Sequence, residues 1–389
     1  MNNKNNITEP WFLPEYPDRP VYAVIPRRYN PEEPVGLFFF MHGGDTSSPP
    51  EQPFNTYINE KSGVLQPHIS DIPFITVAPA ALSAVDGKRW NRHGVVKYIL
   101  AVIEDVCSKF NIDRDRIILG GHSMGGFGAY HTAPLLADKL AGVWLSAGAW
   151  LEEDFRGCLG TPLYLMHGKW DCALHYRGSH VEPRHHDWCG VSFARAAHEL
   201  MLEYDIEHVY DEHSGGHGLE WEPCQLAFKR FLCWAARQKR NPYASRCAVV
   251  MPNGAADPDL ENINRSRWLE ITETSPGSIT LDKIVLTGPN IAWNADELEA
   301  QSFYLSKSSH PGARLIGENH GNNRFTFTAE NVAAFTCRLH PEMAELSEEL
   351  YFTVNGKEYR VTPEADAGHP DYTMKVRFVI PENKNRGIL

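Results

Sequence analysis

The sequence predicts an α/β fold with a doubly wound, mostly parallel sheet, followed by a smaller β-rich region. Apolar runs of strand length alternate with helical patterns from residue 21 to about residue 240, which is typical of parallel α/β sheets. After Asn241 and Pro242 the helical patterns give way to short strand patterns and the hairpin signal Asn355-Gly356, which is typical of β structure. We therefore predict an irregular lead-in over 1–20, an α/β domain over 21–240 and a β-rich, sandwich-like domain over 241–389.

Each element of the α/β domain has its own signal in the chain. Continuous apolar runs, which suit strands buried on both faces, are followed by shorter strand patterns and by helical spacing. The predicted strands are 21–26, 35–41, 74–79, 117–119, 142–148, 161–168 and 207–210, and the predicted helices are 94–110, 125–139, 192–204 and 222–237. In the β-rich region the predicted strands are 268–271, 278–281, 283–286, 324–327, 350–354 and 375–380.

Charge and hydropathy narrow the classes of partner. The net charge of -12 argues against a nucleic-acid backbone and against an anionic membrane surface. No apolar run approaches the length of a membrane span. Residues 1–6 are polar and no apolar segment follows them as in a signal peptide, so we expect a cytoplasmic location, although a mature exported form would look the same. A homo-oligomer stays open.

The eight cysteines form no CxxC pair and no regular framework. In a chain of 389 residues this pattern favours thiols over a disulfide scaffold. Cys172 and Cys189 flank one loop and could pair if the protein were exported.

One stretch, residues 117–130, organises the catalytic prediction. It has a strand pattern, a turn with Gly121-x-Ser123-x-Gly125, and a helix rich in small residues. This pattern is typical of a nucleophile elbow, where a serine lies on a strained strand-to-helix turn and its neighbours must be small. The alternative is a glycine-rich turn with a bystander serine.

The run 35–41 ends in His42-Gly43-Gly44-Asp45, where a backbone N–H can face a substrate. We interpret Gly44 as one donor of an oxyanion hole, with Gly43 as the alternative, and the N–H of Met124 as the other donor. A plain turn after the strand is the simpler interpretation.

An acid and a histidine follow the serine in the order that such an elbow requires. Asp171 comes just after the predicted strand 161–168, and His217 lies in the loop Ser214-Gly215-Gly216-His217-Gly218. The acid would hold the imidazole in one tautomer and stabilise its charged form. His213 is the alternative base, and Asp187 or Asp154 is the alternative acid.

The loop 172–190 and four tryptophans are the candidate substrate-binding features. The loop carries several imidazoles and carboxylates, which leaves a metal site open, but no ligand spacing is recognisable. The simpler interpretation is a polar loop over the mouth of the site. His175 and Arg177 would contact substrate there, and Arg177 or Arg184 could bind a carboxylate. The tryptophans are Trp90, Trp150, Trp170 and Trp221, which suit an aromatic or sugar-bearing ester or else cap the core.

Residues 20–235 resemble the α/β-hydrolase superfamily. The segments that carry the resemblance are 24–29, 40–44, 115–126, 167–171 and 216–218. Within the superfamily the chain is most similar to the branch of esterase D-like carboxylesterases, feruloyl and acetylxylan esterases and polyhydroxybutyrate depolymerase-like proteins. Two features depart from it: the His-rich loop 172–190 after the acid, and the absence of a signal where many relatives are secreted. The resemblance extends to no particular substrate.

Together these features predict a serine hydrolase that cleaves a small carboxylic ester through an acyl-enzyme, without a metal or cofactor. An aromatic or sugar-linked acyl ester is the expected substrate. A serine peptidase of the prolyl-oligopeptidase type is one alternative, because it shares the fold and the triad. A non-catalytic binding protein that kept the fold is the other.

Overall fold

The computed structural model describes residues 6–171, 189–252, 263–287, 301–362 and 374–380. The chain divides into two units. The first comprises Met1–Glu153, Thr161–Arg240 and Asp282–Ser306, and the second comprises Asp154–Gly160, Asn241–Leu281 and Lys307–Leu389. Among the described residues, no helix has the length and apolar character needed to cross a membrane.

Strands outnumber helices in the described part of the chain. The strands are β1 (Trp11–Leu13), β2 (Tyr16–Val24), β3 (Val35–Met41), β4 (Phe74–Pro79), β5 (Ile112–His122), β6 (Gly142–Ser146), β7 (Glu152–Glu153), β8 (Leu163–Gly168), β9 (His208–His213), β10 (Arg246–Pro252), β11 (Arg265–Ser266), β12 (Leu269–Thr274), β13 (Ser278–Thr287), β14 (Ser302–Asn319), β15 (Arg324–Glu330), β16 (Val332–Leu339), β17 (Leu350–Val354), β18 (Lys357–Val361) and β19 (Met374–Val379). The helices are α1 (Gln66–Ile69), α2 (Val95–Lys109), α3 (Met124–Leu136), α4 (Val191–Glu203) and α5 (Glu222–Ala235), with short helical turns at Pro53–Ile58, Ala137–Lys139 and Phe155–Cys158.

The first unit is built on an eight-stranded sheet in the order β1-β2-β4-β3-β5-β6-β8-β9. Strands β4, β3, β5, β6, β8 and β9 are parallel, whereas β1 and β2 are antiparallel to their neighbours. The predicted α/β fold with a doubly wound, mostly parallel sheet is therefore confirmed. Because the parallel strands share one direction, the loops after β3, β5, β8 and β9 emerge at the same edge.

Helices cover both faces of this sheet. Phe38 and Phe40 of β3 lie in one aromatic cluster with Phe231 of α5, so α5 covers that face. Strand side chains alternate between faces, and Met41 lies on the other side, where a Cβ added to Gly128 of α3 would be 3.1 Å from its Sδ. The apolar runs of the sequence are continuous because strands covered on both faces need no polar side.

The segment predicted as an irregular lead-in, 1–20, contains β1 and the first half of β2. Pro17 and Pro20 suggested a loop. In the structure the pairing of β2 with β4 begins only at Val21, so neither proline has to donate an N–H to β4.

The second unit contains two sheets with an aromatic core between them. One has the order β18-β17-β15-β14-β13 with β10 also paired to β14, and the other has the order β11-β12-β16-β19. Phe327 of the first sheet lies 5.0 Å from Phe335 and 5.7 Å from Phe378 of the second, measured between ring centroids. The predicted β-rich character of this region is confirmed.

Several strands of the β-rich region escaped the sequence prediction. β14 is 18 residues long, but Pro311 and Gly312 interrupt its pattern, and the five residues before them, 306–310, are all polar. The predicted strands 278–281 and 283–286 form one strand, β13. The intervening residue, Asp282, is buried within this strand. A charged residue inside a strand is rare without partners, so the sequence suggested a break there.

We expect Gly125→Ala to destabilise the protein by about 2 kcal/mol or more. A Cβ at this position would lie 1.9 Å from the carbonyl oxygen of Met41, so α3 would have to move away from β3. The loss is measured as the free energy of unfolding in urea. Gly87→Ala is the control, since a Cβ there meets nothing within 4 Å and only its φ of +72° is unfavourable; we expect a loss of about 1 kcal/mol. Equal losses in the two variants would contradict the close approach of α3 to β3.

Candidate active site

Ser123 occupies a strained turn between β5 and α3. Its φ is 58° and its ψ is -120°, a conformation that is costly for a residue with a side chain. The turn is so tight that a Cβ on Gly121 would lie 2.1 Å from the carbonyl oxygen of Gly125. Glycines at these two positions therefore allow the backbones to meet, and the serine is presented at the N-terminal end of α3.

Ser123, His217 and Asp171 form a hydrogen-bonded row. Ser123 Oγ lies 2.8 Å from His217 Nε2, and His217 Nδ1 lies 2.8 Å from Asp171 Oδ2. A carboxylate can only accept, so the Nδ1–H of His217 donates to Asp171 and Nε2 accepts from the Ser123 hydroxyl. The residues predicted to act together are thus brought together by the fold.

The loops that carry Asp171 and His217 are tied to each other by their backbones. Beyond the paired ends of β8 and β9, the N–H of Lys169 donates to the carbonyl of His213 (2.8 Å), and the N–H of Trp170 donates to the carbonyl of Gly215 (3.0 Å). A Cβ on Gly168 would lie 2.3 Å from the carbonyl oxygen of Gly216. The spacing between the acid and the histidine therefore depends on a close backbone approach.

Burial and charge shift the two titratable partners in opposite directions. Burial raises the pKa of Asp171, but the positive charge of His217 and hydrogen bonds from His167 and His217 outweigh it and hold that pKa well below its ordinary value. Burial lowers the pKa of His217, but the charge of Asp171, the interaction with Cys189 and the hydrogen bonds to both outweigh burial and raise this pKa well above its ordinary value. The carboxylate therefore stabilises the imidazolium that forms when His217 takes up a proton.

His167 and Cys189 also contact the acid and the histidine. The sequence assigned no role to His167, and for Cys189 it suggested only a disulfide with Cys172. His167 Nε2 lies 3.0 Å from Asp171 Oδ2 and 2.9 Å from the carbonyl oxygen of Cys189. Since both neighbours only accept, Nε2 carries a proton and donates to both. Cys189 Sγ lies 3.8 Å from His217 Nδ1. The one signal for His167 is a polar residue at the end of an apolar strand, four residues before Asp171.

His122, directly before the serine, supports the imidazole of His217. Its ring lies 5.1 Å from the His217 ring, measured between centroids, and its Nδ1 lies 3.0 Å from Ser146 Oγ. Burial, and then the charge of His217, lower the pKa of His122 well below its ordinary value. A neutral ring at this position avoids repulsion of a protonated His217.

The loop after β3 is held by buried side chains around Gly43. A Cβ on Gly43 would lie 3.1 Å from Ser123 Cβ, which places this loop against the serine. The N–H of Gly43 donates to the Tyr57 hydroxyl (3.1 Å), so it already has an acceptor. Of the two candidate donors, Gly44 is therefore the better one.

His42 fixes the peptide that joins Gly43 to Gly44. The N–H of Ala81 donates to His42 Nε2 (2.9 Å), so the proton of this imidazole is on Nδ1, which donates to the Gly43 carbonyl (2.8 Å). In a trans peptide the carbonyl and the following N–H point in opposite directions. The Gly44 N–H is therefore directed away from His42.

The alternative acid and base candidates have other partners. His213 Nδ1 accepts a hydrogen bond from the Gly215 N–H (3.1 Å), and burial lowers the pKa of His213 to about 4. Asp154 lies in the second unit, where it pairs with Arg314 at 2.5 Å and with Arg156 at 2.6 Å. Asp187 lies outside the described residues.

The four candidate tryptophans divide into two pairs. Trp90 and Trp150 are buried, and their indole N–H groups donate to the carbonyls of His42 (3.1 Å) and Phe193 (2.9 Å); they pack the core and present no open face. Trp170 is half-buried with Lys169 Nζ 5.0 Å from its ring, and Trp221 is 46% exposed. The predicted substrate contacts His175, Arg177 and Arg184, and Cys172 of the suggested disulfide, lie outside the described residues.

We expect His42→Gln to reduce the acid sensitivity of the fold. Burial, with a further contribution from Arg89, lowers the pKa of His42 to about 4, whereas the unfolded chain binds this proton near pH 6.5. Protons therefore favour the unfolded state, and stability contributed by neutral His42 is lost as the pH falls from 6.5 towards 4. Between pH 7 and pH 4.5 the free energy of unfolding should fall by about 2 kcal/mol less in the variant than in the wild type.

The control for this measurement is Tyr57→Phe, in the same loop. It removes the acceptor of the Gly43 N–H but no group that titrates between pH 4 and 7, so it should lower stability without changing its pH dependence. Parallel pH profiles for His42→Gln and the wild type would show that His42 is not held neutral.

Comparisons with known proteins give one curated relative and several solved structures with partial similarity. No protein-family model matches the chain. A curated relative, the bifunctional acetylxylan esterase/xylanase of Neocallimastix patriciarum, is 25% identical over 164 residues, which is 41% of this chain and 22% of that protein. The chain thus spans about a fifth of the length of the relative that it matches.

Solved structures similar to this chain include two esterases and an S-formylglutathione hydrolase. A thermostable esterase has a TM-score of 0.45 at 18% identity and covers 60% of this chain and 64% of its own. A ferulic acid esterase has a TM-score of 0.43 at 14% identity and covers 59% of this chain and 98% of its own. An S-formylglutathione hydrolase from Agrobacterium tumefaciens has a TM-score of 0.43 at 13% identity and covers 60% of this chain and 94% of its own.

The strand order supplies the fold assignment independently of these similarities. A mostly parallel sheet carries a serine on a strained turn after β5, and an acid and a histidine follow on the loops after β8 and β9. The chain has the α/β-hydrolase fold.

Proposed function

We propose that the chain is a serine hydrolase that cleaves carboxylic esters through an acyl-enzyme. The observation that carries the proposal is the row in which Ser123 Oγ meets His217 Nε2 and His217 Nδ1 meets Asp171, each at 2.8 Å. A hydroxyl bonded to a base, which is in turn oriented by a carboxylate, is the arrangement that activates a serine nucleophile.

The chemistry follows from this row. Ser123 Oγ attacks the ester carbonyl carbon, and its proton moves to His217 Nε2. Asp171 stabilises the imidazolium through Nδ1–H. The protonated His217 then gives its proton to the leaving alcohol, and a water molecule, deprotonated by the same imidazole, hydrolyses the acyl-serine.

The negative charge that develops on the carbonyl oxygen needs fixed donors. We assign this role to the N–H groups of Met124 and Gly44. Met124 is the first residue of α3, so its N–H lies among those that have no partner within the helix. The peptide that contains the Gly44 N–H is held by His42 through the Gly43 carbonyl, so this donor needs no reorganisation during the reaction.

For the substrate we propose an ester with an aromatic or sugar group. Trp221 directly precedes α5 and follows His217 by four residues, and its ring is 46% exposed. Exposed indole rings offer a flat apolar face on which such groups stack. The curated relative is named as an acetylxylan esterase/xylanase, which favours an acylated sugar.

Hydrolysis of p-nitrophenyl esters, from acetate to longer acyl chains, tests the activity. We expect Ser123→Ala to lower kcat by about 10⁴-fold or more, because the nucleophile is lost while the fold is kept. A fluorophosphonate should label the wild type and fail to label this variant. Ser62→Ala, at an exposed serine, is the matched control and should behave as the wild type.

Other outcomes of the same experiment would replace the proposal. Fluorophosphonate labelling of Ser123 with cleavage of peptide amides and little ester hydrolysis would indicate a serine peptidase. Absence of both labelling and hydrolysis in the wild type would indicate a protein that keeps the fold without catalysis.

Trp221→Ala tests the substrate class. For a feruloyl or acetylated sugar ester we expect KM to rise about fivefold, as the loss of one stacking contact implies, while p-nitrophenyl acetate is hydrolysed as before. Leu226→Ala is the control, since Leu226 is an equally exposed apolar residue on α5. The same KM in Trp221→Ala and the wild type would remove Trp221 from the binding site.

A further inference from the structure

Three groups that bind transition metals lie together on the Nδ1 side of His217. They are Nδ1 itself, the carboxylate of Asp171 and the thiol of Cys189, and their ligand atoms all lie within 4.8 Å of one another. We propose that these three residues form a binding site for a thiophilic divalent cation such as Zn²⁺, and that the bound cation inhibits the hydrolase. The inhibition rests on the proposed function, whereas the binding does not.

The distances are close to those that a zinc ion requires. With bonds of 2.0–2.3 Å in a tetrahedral site, two ligand atoms are about 3.3–3.6 Å apart. His217 Nδ1 lies 2.8 Å from Asp171 Oδ2 and 3.8 Å from Cys189 Sγ. Movements of about 0.5 Å would therefore bring these pairs to coordination distance, and water would complete the fourth position.

The chemistry of the ligands selects the cation. A thiolate and a carboxylate supply two negative charges, and the imidazole supplies a neutral nitrogen. Sulfur and nitrogen ligands favour Zn²⁺ and softer ions over Mg²⁺ or Ca²⁺, which prefer oxygen. Cys189 and Asp171 are buried, so the bound ion would lose most of its water and the hard cations, which dehydrate reluctantly, would be further disfavoured.

Cation binding at Nδ1 would remove the base. In the hydrogen-bonded row His217 carries its proton on Nδ1 and accepts from Ser123 at Nε2. A neutral imidazole that is bound to a metal through Nδ1 carries its proton on Nε2 instead. That nitrogen then has no lone pair for the Ser123 proton. The His217 proton moves from Nδ1 to Nε2 and stays on the protein. Binding of one cation therefore releases one proton, that of the Cys189 thiol.

Binding is tested with Cd²⁺ on the full-length Ser123→Ala protein, made metal-free and kept in a non-thiol reductant. We expect the ultraviolet absorption of a cadmium–thiolate bond to appear and to saturate at one equivalent. Adding Cys189→Ser should abolish it, and adding Cys233→Ser, at an exposed cysteine, should leave it unchanged. Adding His217→Ala instead should weaken Cd²⁺ binding at least about tenfold. Absorption that survives Cys189→Ser, or Cd²⁺ affinity that His217→Ala leaves unchanged, would overturn the site.

Inhibition is tested with Zn²⁺ on the wild type, using p-nitrophenyl acetate. We expect loss of activity that a chelator restores and that Mg²⁺ does not cause. Cys189→Ser should raise the inhibitory Zn²⁺ concentration at least about tenfold, with each protein compared with its own metal-free rate. Equal inhibition of both proteins would overturn the cation proposal and leave the hydrolase standing. A wild type that hydrolyses no ester would overturn the hydrolase, while the Cd²⁺ measurement would still decide the site.

Discussion

The buried carboxylate of Asp171 is the constraint on which the site depends. An ion that is removed from water must be compensated by partners at good geometry. Two imidazoles supply that compensation, since His217 and His167 both reach Oδ2. The backbone ties between the loops after β8 and β9 hold these partners in place. The hydrogen bond from His217 that compensates the buried charge of Asp171 therefore also fixes the orientation of His217, the proposed base.

The parts of the site that the sequence predicts are those fixed by local sterics. The turn at Ser123 requires glycine at positions 121 and 125, because a Cβ on either would meet backbone atoms at about 2 Å. A glycine pattern of this kind is visible in the sequence alone. The edge of the sheet to which Asp171 and His217 belong could also be predicted, since both follow strands of the same direction.

The parts that the sequence does not predict depend on contacts between distant segments. Tyr57, in the helical turn Pro53–Ile58, contacts Gly43 across 14 residues of the same connection. Cys189 approaches His217 although 28 residues separate them. Neither residue has a neighbouring pattern that marks its role. Trp90 shows the converse: its position after a strand suggested a substrate contact, but its indole lies in the core beneath α3. The sequence shows that a tryptophan is present, but only tertiary packing determines whether its ring is exposed to a ligand.

In the β-rich region the sequence failed for a related reason. β14 contains a run of five polar residues, 306–310, followed by Pro311 and Gly312, so no strand pattern extends along it. Arg314 of the same strand is nevertheless buried, since Asp154 and Glu330 hold its guanidinium at 2.5 and 2.6 Å. A buried, paired charge looks like a solvent-facing residue when the sequence alone is considered. Strands that bury such pairs are therefore the ones most easily taken for loops.

Two histidines of this site have the same tautomer but different roles. His42 and His217 both donate from Nδ1 and accept at Nε2. The donor at His42 Nε2 is a backbone amide, which cannot give up its proton, and burial lowers the pKa of this ring to about 4. The donor at His217 Nε2 is a hydroxyl, which can lose its proton, and Asp171 stabilises the ring once it is charged. A neutral, permanently bonded imidazole can only hold a loop, whereas one with a transferable proton on one side and a carboxylate on the other can act as a base. The partner atoms at each ring nitrogen, and not the residue type, therefore decide which of the histidines in this chain is suited to catalysis.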